Sequence, residues 1–478
     1  MNYRIILHTL GWVLNIEAVT MLLPLLCSVL YGESCSADFA LCIILCAVLG
    51  IALTIKSPGK KAMYAKEGFV GVALSWIFLS VFGALPFFIS GYIPNFADAV
   101  FETVSGFTTT GASILRDVEA LPKGLLFWRS FTHWMGGMGV LVFIVAILPL
   151  AGGNNIYLVK AESPGPSVGK LVPKIRSSAK ILYVMYIVLT AIQVILLLCG
   201  GLSLFEALTL SFGTAGTGGF GIVNSSIADY SPFVQNTITI FMILFGIDFS
   251  LYYMLLLGKF REALRSEELR AYLGIIAAAI IVIIINCGSI FASFGDALRH
   301  AAFQVASIIT TTGYSTADFD RWPELSKTVL LVLMFIGACA GSTGGGIKVS
   351  RIMILFKSFI KEIKIAAHPN STHRIRMNGR VVEHEVVRGV NAFMAAYICV
   401  YVVSLLIVSI DNFDILTNIS AIAATLNNIG PGLSKVGPVC NFADFSILSK
   451  VVMTLDMLIG RLEIFPILVL FSPYTWRK

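Results

Sequence analysis

Ten stretches of mainly apolar residues, each long enough to cross a lipid bilayer, constrain the fold of this chain more than any other feature. A transmembrane helix needs about 20 such residues. The run that follows Arg4 is longer than the apolar core of a secretory signal, so we interpret it as an uncleaved first span. The ten predicted spans lie near residues 5–31, 37–55, 68–90, 125–149, 181–201, 233–257, 271–291, 327–357, 389–410 and 446–470.

The overall composition agrees with a membrane protein. Charged residues make up only 13% of the chain and hydrophobic residues 57%, with a mean hydropathy of +0.87. A soluble domain carries roughly 25% charged residues, so a soluble enzyme is excluded. The 33 Phe and 15 Tyr residues exclude a disordered chain. We therefore predict an all-α polytopic membrane protein.

The distribution of Lys and Arg predicts the topology. Alternation of ten spans places 25 of the 34 basic residues on one face and eight on the other, with Arg461 inside the last span. Basic loops stay in the cytoplasm, so both termini are predicted to be cytoplasmic. The net charge of +7 is explained in this way and does not indicate nucleic-acid binding. The basic loops at 160–180, 259–270 and 357–388 are either a docking surface for a cytoplasmic partner or simply solvated.

An internal repeat is present in the last eight spans, which form four pairs. Each pair encloses a polar segment too short to span, in which Thr or Asn precedes Gly. The four aligned glycines are separated by 108, 94 and 117 residues. Repetition at a nearly constant period indicates a repeated structural unit. The segments are Phe107–Gly111, Gly216–Gly219, Ile309–Gly313 and Leu426–Gly430.

The repeat defines the domain organisation. We predict four span, half-helix, loop and span units around one central pore with pseudo-fourfold symmetry, preceded by a pair of spans. The pair covers 1–60, and the units cover 61–155, 156–262, 263–370 and 371–478.

The polar Gly segments favour a pore for cations. Non-helical backbone at membrane depth is tolerated only where it is buried in protein or lines a watery cavity. Rings of backbone carbonyls can replace the hydration shell of a monovalent cation. The C-terminal ends of the preceding half-helices carry partial negative charge and would favour a cation.

Several motifs resemble the Trk/Ktr/HKT superfamily of potassium transporters across essentially the whole chain. Besides the four Gly segments, they are Phe127–Gly139, Ala338–Lys348, Asn427–Gly432, Leu458–Phe465 and the closing Trp476-Arg477. The extra N-terminal pair of spans is similar to the TrkH/TrkG branch.

The resemblance implies a selectivity filter made of backbone carbonyls from four quartets. In this superfamily, Ser in place of the first glycine accompanies sodium transport, and Gly111 is intact, so potassium is favoured. Gly213 and Gly216, which precede the second quartet, are more glycines than the family pattern predicts. The residue at which the second half-helix ends is therefore not predicted. The implied filter residues are Thr109, Thr110, Gly111, Ala112, Thr217, Gly218, Gly219, Phe220, Thr311, Thr312, Gly313, Tyr314, Asn428, Ile429, Gly430 and Pro431.

A glycine-rich break is predicted in the eighth span. Each Gly costs on the order of 1 kcal/mol relative to Ala in a helix, so the run favours an unwound loop, with a passive kink as the alternative. The resemblance implies an intramembrane gate here. The loop contains Gly341, Ser342, Thr343, Gly344, Gly345 and Gly346.

Charged residues inside spans are candidates for function because desolvating them is costly. We expect Lys348 and Arg461 to restrain the gate by pairing with its carbonyls or with Asp248 or Glu463; Asp456 is a further candidate. For both Lys348 and Arg461, extension to the cytoplasmic surface is the alternative.

Catalytic motifs fail on inspection, so the chain is not predicted to be an enzyme and no organic cofactor is expected. Gly165–Gly169 lacks the strand-turn-helix context of a nucleophile elbow. His384–Arg388 has Arg where a zinc site needs a second His, and Gly341–Gly346 is followed by Ile347 where a P-loop needs Lys.

The predicted function is potassium uptake across the bacterial cytoplasmic membrane, with the potassium ion as the substrate. The resemblance implies a homodimer in membrane lipid that docks on a cytoplasmic TrkA-like nucleotide-binding ring. The alternatives are a secondary transporter with broken helices and, more distantly, a membrane-embedded enzyme. A disulfide between Cys35 and Cys440 is an open possibility.

Overall fold

The computed structural model describes residues 2–55, 65–150, 175–288, 290–369 and 372–476, and most of them are helical. The helices that correspond to the ten predicted spans are Tyr3–Thr20 with Leu22–Leu30, Ser36–Thr54, Ala65–Gly83 with Leu85–Ile89, Lys123–Leu150, Ile175–Cys199, Pro232–Phe245 with Phe249–Leu256, Glu267–Cys287, Glu324–Ile336 with Val349–Ala367, His384–Val408, and Ile447–Arg461 with Phe465–Phe471. Short helices cover Phe260–Leu264 and Pro473–Trp476, and single 3₁₀ turns cover Phe319–Arg321, Ser409–Asp411 and Ser434–Val436.

The spanning helices turn an apolar face outward. In Ser36–Thr54, Leu41, Ile44 and Val48 are each more than half exposed, while Cys46 on the opposite face is fully buried. Exposed positions three or four residues apart form one stripe on a helix. An outward stripe of large apolar side chains is what a helix in contact with lipid requires.

The sixth, eighth and tenth spans are broken, whereas the sequence indicated a break only in the eighth. The first and third spans, although divided at one residue, continue as single spans. By length and composition, six helices of the described residues could each cross a membrane, and the sixth-span pair, bent by 91°, could make a seventh. The bend lies between Pro232–Phe245 and Phe249–Leu256. The last span is interrupted at Glu463 and Ile464, which have φ angles of 57° and 70°.

Four half-helices are present, one between the two spans of each pair, and each begins at a capping residue. They contain 12 to 16 residues, so at 1.5 Å per residue they extend about 18–24 Å and cannot cross the apolar core of about 30 Å. Each begins at a side chain that accepts a hydrogen bond from the first turn. With their caps in parentheses, the half-helices are Phe96–Phe107 (Asn95), Leu204–Gly216 (Ser203), Phe294–Ile309 (Ser293) and Ile415–Leu426 (Asp414).

The first and fourth repeats pack against each other through a shared hydrophobic cluster. One cluster contains Phe101 and Trp128 of the first repeat together with Ala421 and Met453 of the fourth. Phe101 also packs against Phe442, with ring centroids 5.9 Å apart. Units at the two ends of the repeat array are therefore neighbours, as a ring of four units requires.

Two features depart from the sequence-based picture in detail. The prediction of an all-α chain omits a small hairpin in which Arg376–Met377 pairs antiparallel with Arg380–Val381. Cys35 and Cys440 are both free thiols: Cys35 is buried with its Sγ 3.1 Å from the Ser28 Oγ, and Cys440 is exposed.

Candidate functional site

Four short loops, one after each half-helix, meet in the interior of the molecule. We call them ring loops 1 to 4, and in each of them the residues are numbered one to four in chain order. All sixteen of their residues are buried or partly buried, and the four partly buried ones are Gly111, Gly219, Gly313 and Pro431. The ring loops are Thr109–Ala112, Thr217–Phe220, Thr311–Tyr314 and Asn428–Pro431.

All four half-helices end in the same way. The first residue of each ring loop has a left-handed backbone with φ between 56° and 59°. Its N–H donates to the carbonyl three residues back, and the next N–H donates to the carbonyl five residues back, as in Thr109 to Gly106 (3.0 Å) and Thr110 to Ser105 (2.8 Å). This pair of bonds is a Schellman motif, which usually has Gly at the left-handed position.

The left-handed residues here are Thr, Thr, Thr and Asn. A non-glycine residue in this conformation costs roughly 1–2 kcal/mol. Strain of this kind is retained where the surrounding structure enforces it, typically at functional sites. The fourfold recurrence makes the ring loops the first candidate site of the chain.

The third residue of each ring loop is a glycine that packs on the next loop. A Cβ atom on Gly111 would overlap the carbonyl oxygen of Gly218, the second residue of ring loop 2. Gly219 stands in the same relation to Thr312, and Gly313 to Ile429. The circuit closes at Gly430, where a Cβ would lie 2.8 Å from the carbonyl oxygen of Thr110.

The order of these contacts is loop 1 to 2, 2 to 3, 3 to 4, and 4 back to 1. The four glycines have φ between 73° and 97°, which other residues rarely adopt. Both the conformation and the close approach therefore require Gly at this position. Gly111, Gly219 and Gly313 are partly exposed although their loop neighbours are buried.

The extra glycines before ring loop 2 do not alter its helix end. Gly218 N–H donates to the Gly213 carbonyl (2.8 Å), the bond seen in the other three loops. A Cβ on Gly213 would overlap the Tyr314 hydroxyl, and one on Gly216 would overlap the His133 carbonyl. These glycines permit close packing and leave the loop conformation unchanged.

A buried ion pair beside ring loops 1 and 2 was not identified from the sequence. The Arg129 Nε lies 2.6 Å from a Glu102 carboxylate oxygen, and the two side chains are 3% and 0% exposed. Glu102 also accepts from the Ser113 Oγ and the Ile114 N–H, just beyond ring loop 1.

Arg129 reaches ring loop 2 as well. Its guanidinium carbon lies 3.5 Å from the centroid of the Phe220 ring, and its Nη1 donates to the Gly221 carbonyl (2.9 Å). His133 stacks on Phe220 too, with centroids 4.1 Å apart. The ion pair thus connects the first two ring loops. In the sequence, the only indication of this pair is that Glu102 and Arg129 are charged residues within an apolar repeat.

A second irregular segment lies against ring loops 3 and 4. We call residues 337–348, the interruption of the eighth span, the break loop. A Cβ on Gly345 would lie 2.6 Å from the Asn427 carbonyl oxygen and 3.0 Å from the Asn428 Cβ. The Gly345 N–H also donates to the Thr311 Oγ1 (2.6 Å). The break loop is therefore packed directly on the ring.

The break loop is joined to the bend of the sixth span. Cys339 N–H donates to the Gly246 carbonyl (3.1 Å), and Phe249 N–H donates to the Gly341 carbonyl (3.1 Å). Thr343 Oγ1 donates to the Phe245 carbonyl (3.2 Å). Each broken span thus supplies hydrogen-bond partners for backbone groups that the other leaves unpaired.

Two of the predicted cations contact the break loop. Lys348 is buried, and its ammonium donates to the Gly344 carbonyl, so it does not extend to the surface. Arg461 donates through Nη1 to the Thr343 carbonyl (3.0 Å) and through Nη2 to the Gly136 carbonyl (2.6 Å). Arg461 therefore connects the break loop to the second span of the first repeat.

The predicted carboxylate partners take other roles. Asp248 caps Phe249–Leu256 by accepting from the Ser250 N–H (2.8 Å). Glu463 pairs with Arg351, 2.6 Å away on the helix that follows the break loop. Asp456 accepts from the Ser404 Oγ (2.7 Å). The loop carbonyls, rather than Asp248 or Glu463, receive the two cations.

Of the residues discussed as catalytic motifs, Gly341–Gly346 belongs to the break loop, which packs on the ring. His384–Arg388 is the exposed beginning of the helix His384–Val408 apart from its half-buried Val386 and Val387, and 165–169 lies outside the described residues. Among the residues that the structure describes, there is no group of three His, Cys, Asp or Glu that could hold a metal ion. A cation bound by the ring would be held by carbonyl and hydroxyl oxygens.

Comparisons with known proteins match the whole chain. The sequence profile of the TrkH family, described as a cation transport protein, matches residues 33–478. The Trk system potassium uptake protein TrkH of Salmonella typhimurium is 36% identical over 100% of both chains. The Trk system potassium uptake protein TrkG of Escherichia coli is 32% identical over 100% of this chain and 99% of its own.

A solved structure supports the same assignment. The crystal structure of the potassium transporter TrkH from Vibrio parahaemolyticus has a TM-score of 0.90, 34% sequence identity and full coverage of both chains. This agreement confirms the predicted fold class, and the relatives confirm a transport protein rather than an enzyme. The chain belongs to the TrkH family of cation transport proteins.

Proposed function

We propose that this protein takes up potassium ions across the bacterial cytoplasmic membrane through the centre of the four ring loops. The observation that carries the proposal is the closed circuit of contacts, in which the third-residue glycine of each ring loop packs on the second-residue carbonyl of the next. A circuit of this kind surrounds one axis with backbone carbonyls. Carbonyl oxygens are suitable ligands for a dehydrated monovalent cation.

Electrostatics favour a cation at the same place. Each ring loop directly follows the C-terminal end of a half-helix, where the helix dipole is partly negative. Four such ends converge on the ring. The intact Gly111, which is Ser in sodium-transporting members of the superfamily that the sequence resembles, supports potassium over sodium.

Flux measurements with purified protein in liposomes test this proposal. We expect potassium and rubidium flux to exceed sodium flux, and Gly111→Ser to weaken that preference. Gly274→Ala is the matched control, because a Cβ there meets no atom within 4 Å. Equal fluxes of the three cations in the unsubstituted protein would contradict the proposal and favour a secondary transporter.

We propose further that the break loop is the gate. It packs on ring loops 3 and 4, and it is fastened by Lys348 and Arg461 through hydrogen bonds to its carbonyls. The relatives are named as parts of a Trk system, which supports a function together with other Trk components. A homodimer on a cytoplasmic nucleotide-binding ring of the TrkA type is the assembly we propose, with the basic face of the protein as its docking side.

In the topology that we propose, the basic face is cytoplasmic, both termini are in the cytoplasm, and the ring loops open toward the outside. Cys440 is exposed and follows ring loop 4 on the face poor in Lys and Arg. A membrane-impermeant maleimide should therefore label Cys440 in intact cells, with Cys440→Ser as the control. Labelling only after the membrane is opened would reverse the topology.

A further inference from the structure

We infer that two consecutive glutamates, Glu267 and Glu268, connect a cytoplasmic hairpin to the break loop and act as positioning residues for it. The inference rests on the proposed function, because it assigns the break loop a part in gating. Glu267 and Glu268 begin the seventh spanning helix, Glu267–Cys287, directly after its cap Ser266. Their carboxylates hold two different segments of the chain.

Glu268 holds the break loop at Ala340 and the helix that follows it at Ser350 with one oxygen atom. Its Oε1 accepts from the Ala340 N–H (2.7 Å) and from the Ser350 N–H (3.1 Å). Ser350 lies in the first turn of Val349–Ala367, where backbone N–H groups lack partners within the helix. A carboxylate at this end is also favoured by the helix dipole.

Nine residues lie between Ala340 and Ser350, and they include the glycine run. Because one side chain fastens both positions, movement of Glu268 changes the entry and exit of the break loop together. Ala340 and Ser350 are both buried residues, and the Glu268 carboxylate accepts from the N–H group of each.

Glu267 holds the hairpin formed by Arg376–Met377 and Arg380–Val381. The Glu267 N–H donates to the Asn378 Oδ1 (2.8 Å), and the Asn378 N–H donates back to the Glu267 Oε1 (2.9 Å). Asn378 and Gly379 both have positive φ, 51° and 75°. A two-residue Asn-Gly turn of this kind gives a hairpin a well-defined tip.

A lysine completes the connection from the other side. Lys357 lies on Val349–Ala367, the helix that follows the break loop, and its ammonium pairs with Glu267. The same ammonium donates to the Arg376 carbonyl (2.8 Å). The hairpin, the start of the seventh span and the helix beyond the break loop are thus joined at one point.

The hairpin is the exposed member of this arrangement. Asn378, Gly379 and Arg380 are exposed on the basic face, where a cytoplasmic partner would dock. A displacement of the hairpin therefore moves Glu267. Because Glu268 is the next residue, it moves as well and shifts the Ala340 and Ser350 amides that it binds. Two sites are coupled in this sense only if changes at one alter the equilibrium at the other.

The test uses four variants of the full-length protein in liposomes. Glu268→Leu removes the acceptor, Glu268→Gln retains an acceptor oxygen, Asn378→Ala releases the hairpin, and Glu268→Leu is combined with Asn378→Ala. Arg380→Ala is the matched control, on the exposed strand residue that directly follows the turn. Two readouts are used: rubidium flux, and hydrogen exchange of the Ala340 and Ser350 amides.

We expect Glu268→Leu to raise rubidium flux about tenfold, the effect of losing hydrogen bonds to a charged acceptor, and to speed exchange at both amides. Asn378→Ala should raise flux about threefold, since neutral hydrogen bonds contribute less. Glu268→Gln keeps an acceptor oxygen but loses the charge, so its flux should rise by a factor of about three, less than in Glu268→Leu. Arg380→Ala should stay within about twofold of the unsubstituted protein in both readouts.

The double variant decides whether the two glutamates act as one connection. Coupled residues are not additive, so its flux should not exceed that of Glu268→Leu alone. Independent effects would multiply to about thirtyfold, and that result would overturn the connection. Unchanged exchange at Ala340 and Ser350 in Glu268→Leu would overturn the role of Glu268.

The two readouts separate this inference from the proposed function. If the unsubstituted protein carried no potassium or rubidium, the proposed function would fail, but the exchange measurement would still test the connection. If it carried both ions and no variant changed either readout, the connection alone would fail.

Discussion

The ring loops and the break loop are both rich in glycine and buried, but they are held in place by different means. Each ring loop is fixed by backbone bonds to its own half-helix and by the glycine contact with the next loop. The break loop occurs once, and it is held both by backbone bonds to the bend of the sixth span and by side chains from other spans, among them Arg461 and Glu268. The ring is therefore held by its own backbone, while the position of the break loop also depends on side-chain hydrogen bonds from other spans.

This difference predicts opposite outcomes. Damage to the ring should lower potassium flux or its preference for potassium. Substitutions that remove side-chain hydrogen bonds to the break loop, such as those of Arg461 and Glu268, should raise flux and leave the ion preference unchanged.

The largest effect is expected from the buried ion pair beside the ring. Arg129→Ala leaves the Glu102 carboxylate buried without its partner, which costs about 3–5 kcal/mol. We expect a large loss of thermal stability in detergent and loss of potassium flux. Arg116→Ala is the control, because its pair with Asp444 is largely exposed and contributes about 0–1 kcal/mol. Equal stability of the two variants would mean that the pair does not hold the ring.

The next effect concerns the glycine contacts. Gly219→Ala places a Cβ on the Thr312 carbonyl at a left-handed position, which costs at least about 2 kcal/mol. Potassium flux should fall about thirtyfold, as measured in liposomes, while Gly274→Ala behaves as the unsubstituted protein. Normal flux and normal ion preference in Gly219→Ala would show that the ring does not need this contact.

Release of the break loop should act in the other direction. Arg461→Gln removes charged donors from the Thr343 and Gly136 carbonyls, so basal potassium flux should rise about tenfold. The potassium-to-sodium ratio should not change. A fall in potassium flux with normal expression would mean that Arg461 contributes to the permeation path and does not restrain the break loop.

The smallest effect tests the contact between the two regions. Thr311→Val removes the hydroxyl that accepts from the Gly345 N–H, and flux should rise by a factor of about three. Thr109→Val is the matched control in ring loop 1, because the Thr109 hydroxyl has no hydrogen-bond partner among the described residues. Equal changes in both variants would assign the effect to the ring itself.

Local sequence signals predicted the parts of the fold that depend on local structure. Apolar length gave the spans, Thr or Asn before Gly gave the ring loops, and the run Gly341–Gly346 gave the broken eighth span. The Asn378-Gly379 dipeptide is an equally clear local signal for the hairpin at 376–381.

The remaining features depend on contacts between distant residues. The sixth span bends at Gly246 within an apolar sequence that has no internal proline, and its bend is matched by the break loop almost a hundred residues later. Glu102 and Arg129, and Glu268 and Ala340, likewise meet only in the folded chain. No local periodicity reports such pairs, so the sequence indicated buried charges without indicating their partners.

Anomalous diffraction from crystals of this protein grown in rubidium tests the central claim most directly. The account predicts ordered anomalous density on the axis enclosed by Gly111, Gly219, Gly313 and Gly430, weakened when sodium replaces rubidium. Ordered rubidium density elsewhere in the membrane-spanning region, with none inside the ring, would contradict it.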